Sequence, residues 1–448
     1  MTKNALGFRF ETRNRQSTAV LIGTIQQDPR FANLDIHLMK PRNGLARQIV
    51  ALAAKYDQVV IGFSFTTPEA ITTWEAVRAV RDILQEKQLD NVALIAGGPH
   101  PSGNWRQTLA MGFDIVVIGE GEIVFPELLD VLYQSEIPVQ LLADESGLDH
   151  IPGLAFLTKA GTCCTGRARK VECLDDYPPF APEYSVFSSI EITRGCPWAC
   201  KYCQNTFLKG GNMRHRSIEN IVKWATLSKE RDHGTMRFIT PDAFAYGSDG
   251  KSRKLKPLSE MLRAVCRVAG KEYTYLGSFP SEVRPDSVSP EALALICEFA
   301  ANDNILIGAQ SGSDRMLGIC HRGHTVDDVY RAVELTTQSG LIAKLDFIFG
   351  MPGETAADVE QTLKVIRDLA HMGARIHSHT FMPLAGTPWA DTPAGTMDGR
   401  TRSLLESLTG KGQHFGQWRT QRTIARAIEE LRDAEDKDFT RSASRRNP

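Results

Sequence analysis

Three cysteines lie close together in the segment RGCPWACKYCQN, residues 194–205. Cys196, Cys200 and Cys203 have the spacing C-x-x-x-C-x-x-C, which differs from the paired C-x-x-C knuckles of zinc ribbons. A zinc ion would also have to take its fourth ligand from a distant histidine or cysteine. A [4Fe-4S] cluster held by three thiolates instead leaves one iron without a protein ligand, so that a substrate can bind to it. We therefore predict an open iron–sulfur cluster at these cysteines.

The thiols of this chain are expected to be reduced. The amino-terminal segment MTKNALGFRFETRNRQ lacks the apolar run of a signal peptide, and no later segment is long and uncharged enough to cross a membrane. These features predict a cytoplasmic protein with no membrane partner. The 52 Lys and Arg residues nearly balance the 53 Asp and Glu residues, so no overall positive charge favours a nucleic acid as partner. Cys163, Cys164 and Cys173 have no standard ligand spacing and are predicted to be free thiols.

Short apolar runs alternate with amphipathic segments in the first third of the chain. The runs are ALGFRF, LDIHLMK, QVVIGFSF, NVALIAGG and DIVVIGEGE. With the helices predicted between them, they indicate a doubly wound, Rossmann-like α/β domain over residues 1–136. Ligands of such sheets bind at the carboxyl ends of the strands, where this chain has SFTTPE, GGPHP and GEGE. Neither G-x-G-x-x-G nor the phosphate loop G-x-x-x-x-G-K-S/T follows any of these strands, so no nucleotide loop is predicted.

Residues 137–186 are predicted to connect this domain to a second one. They contain a hairpin, GLAFLT followed by ARKVEC, and a proline-rich linker, DDYPPFAPEY. A second βα array follows over residues 187–390, with strands predicted at SSIEITRG, TMRFITPD, YTYLGSF, NILIGAQSGS, AKLDFIFG and RIHSHTFMPL. Six βα units are two fewer than in a closed barrel, so we predict a partial (β/α)6 barrel of the TIM type. Residues 391–448 are predicted to form a helical extension with a packing role, ending in the polar tail TRSASRRNP.

The cysteine segment directly follows the first strand of the second array. This position places the cluster at the carboxyl-terminal mouth of the barrel, where barrel enzymes carry their chemistry. His377 and His379 lie two residues apart on the sixth predicted strand and therefore point to the same side. Inside the barrel they could contact a substrate or donate a proton. A metal site at this pair is not predicted, because no carboxylate accompanies it in the sequence.

From about residue 4 to about residue 390 the sequence resembles the radical S-adenosylmethionine (SAM) enzymes, and more closely their cobalamin-dependent branch. The barrel segments that carry the resemblance are RGCPWACKYCQN, FITPDAFAYG, GAQSGSDRML with HRGHTVDDV, LDFIFGMPGET and HTFMPLAGTPWA. Upstream, IAGGPHPSGNWRQTLAMGFDIVVIGEGE looks like the cobalamin domain of that branch. The resemblance implies three cofactors: a [4Fe-4S] cluster, SAM and cobalamin. It also implies an electron donor of the flavodoxin or ferredoxin type, whose electron cleaves SAM to methionine and a 5′-deoxyadenosyl radical.

The resemblance further implies which residues surround SAM. Asp242 would accept the methionine ammonium group. Ser278, Gln310 and Ser311 would bind the ribose and the methionine carboxylate, although many relatives have Glu at the position of Gln310. The backbone at Phe349, Gly350 and Met382 would line the adenine, with Tyr202 beside it.

A corrinoid without a histidine ligand below the cobalt is implied as well. The segment DIHLMK approaches the cobalamin signature D-x-H-x-x-G, but Lys40 replaces the final Gly and the segment is predicted to be a strand. Asp35 and His37 are therefore predicted to be ordinary sheet residues. The residues expected around the ring and the nucleotide tail are Thr66, Thr67, Gly97, Gly98, His100, Gly119 and Gly121. For His100, a structural role in the GGPHP turn is an equal alternative.

Three functions remain open on this basis. The first is a methyltransferase that moves a methyl group from SAM, via methylcobalamin, to an unactivated carbon of a peptide, a protein residue or a metabolite. The second uses the same cofactors for a radical cyclisation or oxidation without methyl transfer, and the third is a non-catalytic corrinoid-binding sensor. A methylthiotransferase is disfavoured, because residues 1–162 contain no Cys and that family carries a second cluster on amino-terminal cysteines.

Overall fold

Five parallel strands form the centre of the amino-terminal domain. The computed structural model describes residues 3–135 and 147–444, with side chains up to residue 432. The strands are β1 (Asn4–Arg9), β2 (Asp35–Met39), β3 (Gln58–Ser64), β4 (Val92–Gly97) and β5 (Ile115–Val117), in the spatial order β2-β1-β3-β4-β5. The connecting helices are α1 (Arg15–Gln27), α2 (Leu45–Ala53), α3 (Ala70–Glu86), α4 (Pro99–Gly103), α5 (Trp105–Ala110) and α6 (Gly121–Gln134). This arrangement confirms the predicted doubly wound domain.

The uniformly apolar strands are explained by helices on both faces of the sheet. Leu6 and Phe8 of β1 enter one core with Ile22 of α1, whereas Ala5 enters a second core with Val77 of α3. Successive side chains of a strand point to opposite faces, so a strand covered on both sides has no polar face.

A hairpin extends this sheet beyond the predicted domain boundary. Strand β6 (Leu154–Thr158) pairs antiparallel with β5, and β7 (Gly161–Cys164) pairs with β6, which gives a seven-stranded sheet. The prediction of ARKVEC as the second hairpin strand is wrong. The chain reverses immediately at Lys159 and Ala160, where Gly161 has a φ of +128°, so GTCC pairs instead. The backbone N–H of Val171, within ARKVEC, donates to the Glu120 carboxylate instead (2.8 Å).

Six parallel strand positions form the second domain, as predicted. The first predicted strand is divided into β8 (Ile190–Glu191) and β9 (Thr193–Arg194), and β9 pairs antiparallel with β10 (Arg214–His215). The remaining strands are β11 (Met236–Ile239), β12 (Thr274–Tyr275), β13 (Asn304–Gln310), β14 (Ile342–Phe349) and β15 (Arg375–Thr380). One sheet has the order β12-β11-β8 and the other contains β13-β14-β15, and a bridge between Val283 and Ile307 joins them into one open arc.

Helices cover the outside of this arc. They are α7 (Ile218–Glu230), α8 (Leu255–Ala269), α9 (Pro290–Phe299), α10 (Asp314–Ile319), α11 (Val326–Gln338) and α12 (Ala356–His371). Their buried faces and the outer faces of the strands form the largest apolar core of the described residues. The inner faces of the strands are therefore left to position polar side chains.

The carboxyl-terminal extension packs against both domains. It consists of α13 (Gly399–Gly410), the short strand β16 (His414–Phe415) and α14 (Trp418–Ser444). Strand β16, which was not predicted, adds in parallel to β15, and Leu431 of α14 enters the amino-terminal core that contains Val77. Helix α14 also continues into the segment predicted as a polar tail. The last four residues of that tail, 445–448, and residues 137–146 of the predicted connecting segment lie outside the described residues.

No helix within residues 3–135 and 147–444 combines the length and the apolar character needed to cross a membrane.

Candidate functional site

Two cavities with a common wall lie where the two domains meet. The N-terminal cavity is lined by the carboxyl ends of β3, β4 and β5 and the turns that follow them. The barrel cavity is lined by the cysteine segment and the inner faces of the barrel strands. Glu191, Arg194, Lys209 and Ile239 line both cavities. A ligand in one cavity therefore lies directly across this wall from a ligand in the other.

The structure brings the three cysteines together in the wall of the barrel cavity. Cys196, Cys200 and Cys203 all line it, and their loop is held by the Thr206 hydroxyl, which donates to the Cys196 carbonyl (2.7 Å) and accepts from the Ala199 N–H (3.1 Å). Burial raises the pKa of Cys196 and raises the pKa of Cys203 to about 12. Such thiols ionise when a metal takes the place of the proton. Three converging soft donors beside an open cavity fit an iron–sulfur cluster with one open position.

Two buried arginines support the cysteine loop from behind. The Arg322 guanidinium donates to Cys200 Sγ (3.8 Å) and to the Gly308 carbonyl (2.9 Å). The Arg284 guanidinium stacks on the ring of Trp198, inside the cysteine segment, with its Cζ 3.7 Å from the ring centroid. Sequence analysis assigned no role to either, because Arg284 lies in none of the segments singled out there and Arg322 was noted only as part of HRGHTVDDV. They place positive charge next to the thiolates.

Of the eight residues expected around SAM, two line the barrel cavity with the cysteines. They are Tyr202 and Gln310. Gln310 has a φ of +70° at the end of β13, a conformation that costs a non-glycine residue about 1–3 kcal/mol and often occurs at functional sites. The other six do not line the cavity: Asp242, Ser278, Ser311, Phe349, Gly350 and Met382.

Asp242 instead has its partners inside the barrel wall. Its carboxylate accepts hydrogen bonds from the Ser287 hydroxyl (2.5 Å) and from the backbone N–H groups of Phe244 (3.2 Å) and Arg284 (3.4 Å). Burial raises its pKa. Thr240 and Pro241, just before it, line the cavity. The position after β11 therefore faces the cavity, although the Asp242 side chain turns away from it.

Gly350 and Ser311 are also packed against neighbouring residues of the barrel domain. A Cβ at Gly350 would lie 2.3 Å from the backbone nitrogen of Thr396, so a neighbouring loop covers this glycine. Ser311 is 1% exposed, and its hydroxyl lies 3.4 Å from that of Thr362.

Five of the seven residues expected around cobalamin line the N-terminal cavity. They are Thr66, Gly97, Gly98, Gly119 and Gly121. The four glycines leave bare backbone at the strand ends, which a large flat ligand can approach closely. Gly98 and Gly119 have φ values of +99° and +98°, which other residues rarely adopt. The wall thus fits a corrinoid at the strand ends of the doubly wound sheet.

Thr67 and His100 lie behind this wall. His100 is 2% exposed, its Nδ1 is 3.3 Å from the Thr67 hydroxyl, and burial lowers its pKa to about 4. The Thr67 hydroxyl also accepts from the backbone N–H of Ala385 in the barrel domain (3.2 Å). Both residues therefore support the contact between the domains. His37 and Asp35 lie in β2 and contact Tyr56, which confirms that they are sheet residues.

A buried ion cluster lies at the wall between the two cavities. Arg194 of β9 pairs with Glu120 (3.2 Å) and Glu122 (2.6 Å) of the amino-terminal domain and with Glu191 (2.6 Å). Arg214 forms a second pair with Glu120 (2.6 Å). Burial disfavours the charge on Glu120, but the Arg214 hydrogen bond and the Arg194 charge outweigh it and hold the pKa at about 2. These residues tie the first barrel strand, two residues before Cys196, to the amino-terminal domain.

A second polar cluster lies deeper in the barrel cavity. Asp346 of β14 accepts a hydrogen bond from His377 Nδ1 (2.6 Å), and His379 Nε2 lies 3.6 Å from the same carboxylate oxygen. Glu282 lines the cavity with Asp346 and His379. The premise that no carboxylate accompanies the two histidines is therefore wrong. The register of β14 and β15 places Asp346 beside His377, which the separated segments of the sequence did not reveal.

Comparisons with known proteins match two family domains. Residues 190–366 match the radical SAM superfamily and residues 26–129 match the B12 binding domain. These domains confirm the predicted cofactor set, with an iron–sulfur cluster and SAM for the barrel and cobalamin for the amino-terminal domain.

Two curated relatives are similar to this chain in sequence. A tRNA-2-methylthio-N(6)-dimethylallyladenosine synthase of Sulfurihydrogenibium sp. is 27% identical over 271 residues, which cover 58% of this chain and 59% of that protein. An uncharacterized methyltransferase of Pyrococcus horikoshii is 25% identical over 353 residues, which cover 74% of this chain and 70% of that protein. The match thus spans less than two thirds of the first relative.

Two solved structures share the fold. The radical SAM methyltransferase TsrM of Kitasatospora setae, with cobalamin and a [4Fe-4S] cluster bound, has a TM-score of 0.64 at 15% identity and covers 87% of this chain and 74% of that chain. The cobalamin-dependent SAM radical enzyme OxsB, with aqua-cobalamin and SAM bound, has a TM-score of 0.61 at 16% identity and covers 82% of this chain and 52% of that chain. Both confirm the arrangement of the two domains.

Proposed function

The chain belongs to the radical SAM superfamily and carries a B12-binding domain before its radical SAM domain, and on this basis we propose that it is a cobalamin-dependent radical SAM methyltransferase. The proposed reaction moves a methyl group from SAM to an unactivated carbon of a peptide, a protein residue or a small metabolite. When bound, the cluster supplies the electron that cleaves SAM and the corrinoid supplies a carrier for its methyl group. An electron donor of the flavodoxin or ferredoxin type would reduce both.

The observation that carries this proposal is the common wall of the two cavities. Cys196, Cys200 and Cys203 line the barrel cavity, and the bare backbone at Gly97 and Gly98 lines the N-terminal cavity. Radical reactions require that water and other hydrogen donors are kept away from the reacting carbon. A site closed between two domain mouths meets this requirement, and it supports transfer between groups held on the two sides of the wall.

The residues of the wall have separable roles in this proposal. Arg194 and its three carboxylate partners hold β9, and with it the cysteine segment, in a fixed position against the amino-terminal domain. Thr206 keeps the loop between the cysteines closed. Gln310, in its left-handed conformation at the end of β13, presents an amide to the cavity for the polar groups of SAM.

The alternative function uses the same cofactors for a radical cyclisation or oxidation without methyl transfer, and it is kept because the fold is shared with OxsB, a cobalamin-dependent SAM radical enzyme, as well as with the methyltransferase TsrM. The sequence similarity to a methylthiotransferase gives only weak support for methylthio transfer by this chain, because the chain has no Cys within residues 1–162.

The test uses anaerobically purified, reconstituted protein with SAM carrying a labelled methyl group, cobalamin and a strong reductant. We expect 5′-deoxyadenosine and labelled methylcobalamin, both followed by mass spectrometry. Deoxyadenosine without methylcobalamin would favour cyclisation or oxidation. If protein that retains both cofactors formed neither product, the enzymatic function would be refuted.

Cys320 offers a matched control for the cluster. It is fully buried beside the cysteine segment, where its carbonyl accepts from the Lys201 N–H (3.0 Å), but it does not line the cavity. The variant C196A/C200A/C203A is expected to lose cluster iron and its electronic absorption, whereas Cys320→Ala retains both. Loss of the cluster in Cys320→Ala would show a fourth thiolate ligand and contradict the open iron.

A further inference from the structure

Four titratable side chains form what we term the acidic floor of the barrel cavity: Glu282, Asp346, His377 and His379. Asp346 lies in the middle of β14 and His377 beside it on β15, so both lie deeper in the barrel than the strand ends that carry the cysteine segment. Asp346 is 4% exposed. The proposed roles of the cluster, SAM and corrinoid use none of these four residues.

The Asp346 carboxylate is held as an ionised group. Burial alone would raise its pKa, but the hydrogen bonds from His377 and His379 outweigh burial and hold the pKa below its usual value. Both histidines act on Oδ1, at 2.6 Å and 3.6 Å.

The carboxyl-terminal extension fixes the tautomer of His379. The backbone N–H of Thr380 donates to Oε1 of Gln421 in α14 (3.1 Å), so the Gln421 amide nitrogen faces His379 Nδ1 (2.9 Å). Because an amide NH₂ only donates, Nδ1 is the acceptor and the ring proton lies on Nε2, which points at Asp346. His379 thereby directs its Nε2–H towards the floor.

Glu282 completes the floor as a second carboxyl group. Burial and then the neighbouring Asp346 charge raise its pKa to about 7, and its carboxyl group lies within hydrogen-bonding reach of Asp346. Two carboxyl groups this close keep a proton between them unless a cation takes its place. The floor thus holds an ionised Asp346 beside Glu282, whose pKa lies near neutral pH.

Three cations also line the barrel cavity, namely Arg194, Lys209 and Arg322. Arg322 donates to Cys200 Sγ and to the Gly308 carbonyl. Lys344, two residues before Asp346 on the same side of β14, has its ammonium group over the ring of Phe415, 5.8 Å from the centroid. Thiolates at the cysteine segment would add negative charge to the same cavity. Among the described residues, however, no Lys or Arg forms an ion pair with Asp346 or Glu282, so these two carboxyl groups are available to a positively charged ligand.

We infer that the acidic floor is a binding site for a cationic nitrogen of the substrate, an ammonium or guanidinium group, with Asp346 and Glu282 as its carboxylate partners. The inference rests on the proposed function and names its substrate class, an amine-bearing molecule such as a lysyl or arginyl side chain or a free amine. Charge-assisted hydrogen bonds from such a group to two buried carboxylates are among the stronger polar contacts in proteins.

A metal ion is the other cation that this cluster could take. One ligand atom from each of Asp346, His377 and His379 lies within 4.8 Å of the others, a distance suited to a two-histidine, one-carboxylate site. The tautomer of His379 opposes it, because Nε2 carries the ring proton and would have to lose it. Turning the Gln421 amide to accept from Nδ1 would give up its hydrogen bond from Thr380.

The test measures fragment binding to the full-length, cluster-reconstituted protein by saturation-transfer NMR, with n-butylammonium chloride as the probe and n-butanol as its neutral equivalent. We expect butylammonium to bind at least about tenfold more tightly than butanol. Asp346→Asn and Glu282→Gln, two independent isosteric variants, are each expected to lose that preference. Asp327→Asn, at an exposed acidic residue of α11, is the matched control and should retain it.

Three results would overturn the inference. Equal binding of butylammonium and butanol to the unaltered protein would show that the floor does not select a cation. If Asp346→Asn weakened the binding of SAM as much as the binding of butylammonium, the floor would be assigned to SAM instead. One zinc ion per chain in equilibrium dialysis against ZnCl₂, lost in His379→Ala, would assign a metal site. Deoxyadenosine formation without substrate is measured in parallel, so failure of the radical SAM function is recognised separately.

Discussion

Removing the charge of Glu120 should destabilise the protein in a pH-dependent way. The pKa of Glu120 falls from its ordinary 4.5 to about 2 because Arg214 and Arg194 outweigh the effect of burial. Since a tenfold change in proton affinity corresponds to 1.36 kcal/mol, the ionised carboxylate contributes about 3 kcal/mol to folding at pH 7. Glu120→Gln keeps the shape and removes the charge. We expect this variant to lose about 3 kcal/mol, a large part of the roughly 5–15 kcal/mol of a typical protein.

The sign of the pH dependence follows from the lowered pKa. A carboxylate with a depressed pKa in the folded state stabilises the protein above the unfolded pKa, and this stabilisation is lost as the pH falls from about 4.5 to about 2. Urea denaturation followed by tryptophan fluorescence should therefore show the two proteins converging over that range. Glu406→Gln is the control, because the Glu406–Arg419 pair is 56% and 66% exposed and should contribute less than about 1 kcal/mol. An unchanged stability of Glu120→Gln at pH 7, or a difference independent of pH, would refute the reasoning.

Two further predictions follow from contacts at the domain junction and the cluster loop. Gly103→Ala would place a Cβ 2.3 Å from the Ala385 carbonyl carbon and should lower the denaturation midpoint by the equivalent of about 1–3 kcal/mol. Gly318→Ala is the control, because its Cβ would meet no atom within 4 Å, and it should be neutral or slightly stabilising. Equal midpoints for the two variants would contradict the close approach at Gly103. Arg322→Gln should make the cluster midpoint potential more negative in an EPR-monitored redox titration, because the positive charge beside Cys200 favours the reduced, more negative cluster, and an unchanged midpoint would contradict this role.

Local sequence patterns predicted most of the fold because its strands are buried on both faces. β1, β3, β4, β5 and the barrel strand β13 contain apolar runs of the kind that helices cover on two sides. β7 and β16 could not be found in this way. GTCC and HF are too short to carry a periodicity, and their strand character comes from pairing with β6 and β15.

The residues of the candidate site likewise differ in how far a local sequence pattern can predict them. The cysteines are a local motif, so their proximity follows from spacing alone. The acidic floor combines residues from three segments between Glu282 and His379, and the ion cluster combines two domains, so no local window contains either. Asp242 illustrates the opposite case: it follows β11 next to the cavity-lining Thr240 and Pro241, but its carboxylate binds Ser287 inside the barrel wall.

The ion cluster limits how this architecture can be recombined. Glu120 and Glu122 belong to one domain and Arg194 to the other, and all three are nearly inaccessible to water. A chimera that joined this amino-terminal domain to a barrel without arginines at the positions of Arg194 and Arg214 would enclose two carboxylates without a counter-charge, at a cost of several kcal/mol. The two domains should therefore be exchanged together, because a working hybrid protein must carry both sides of the ion cluster.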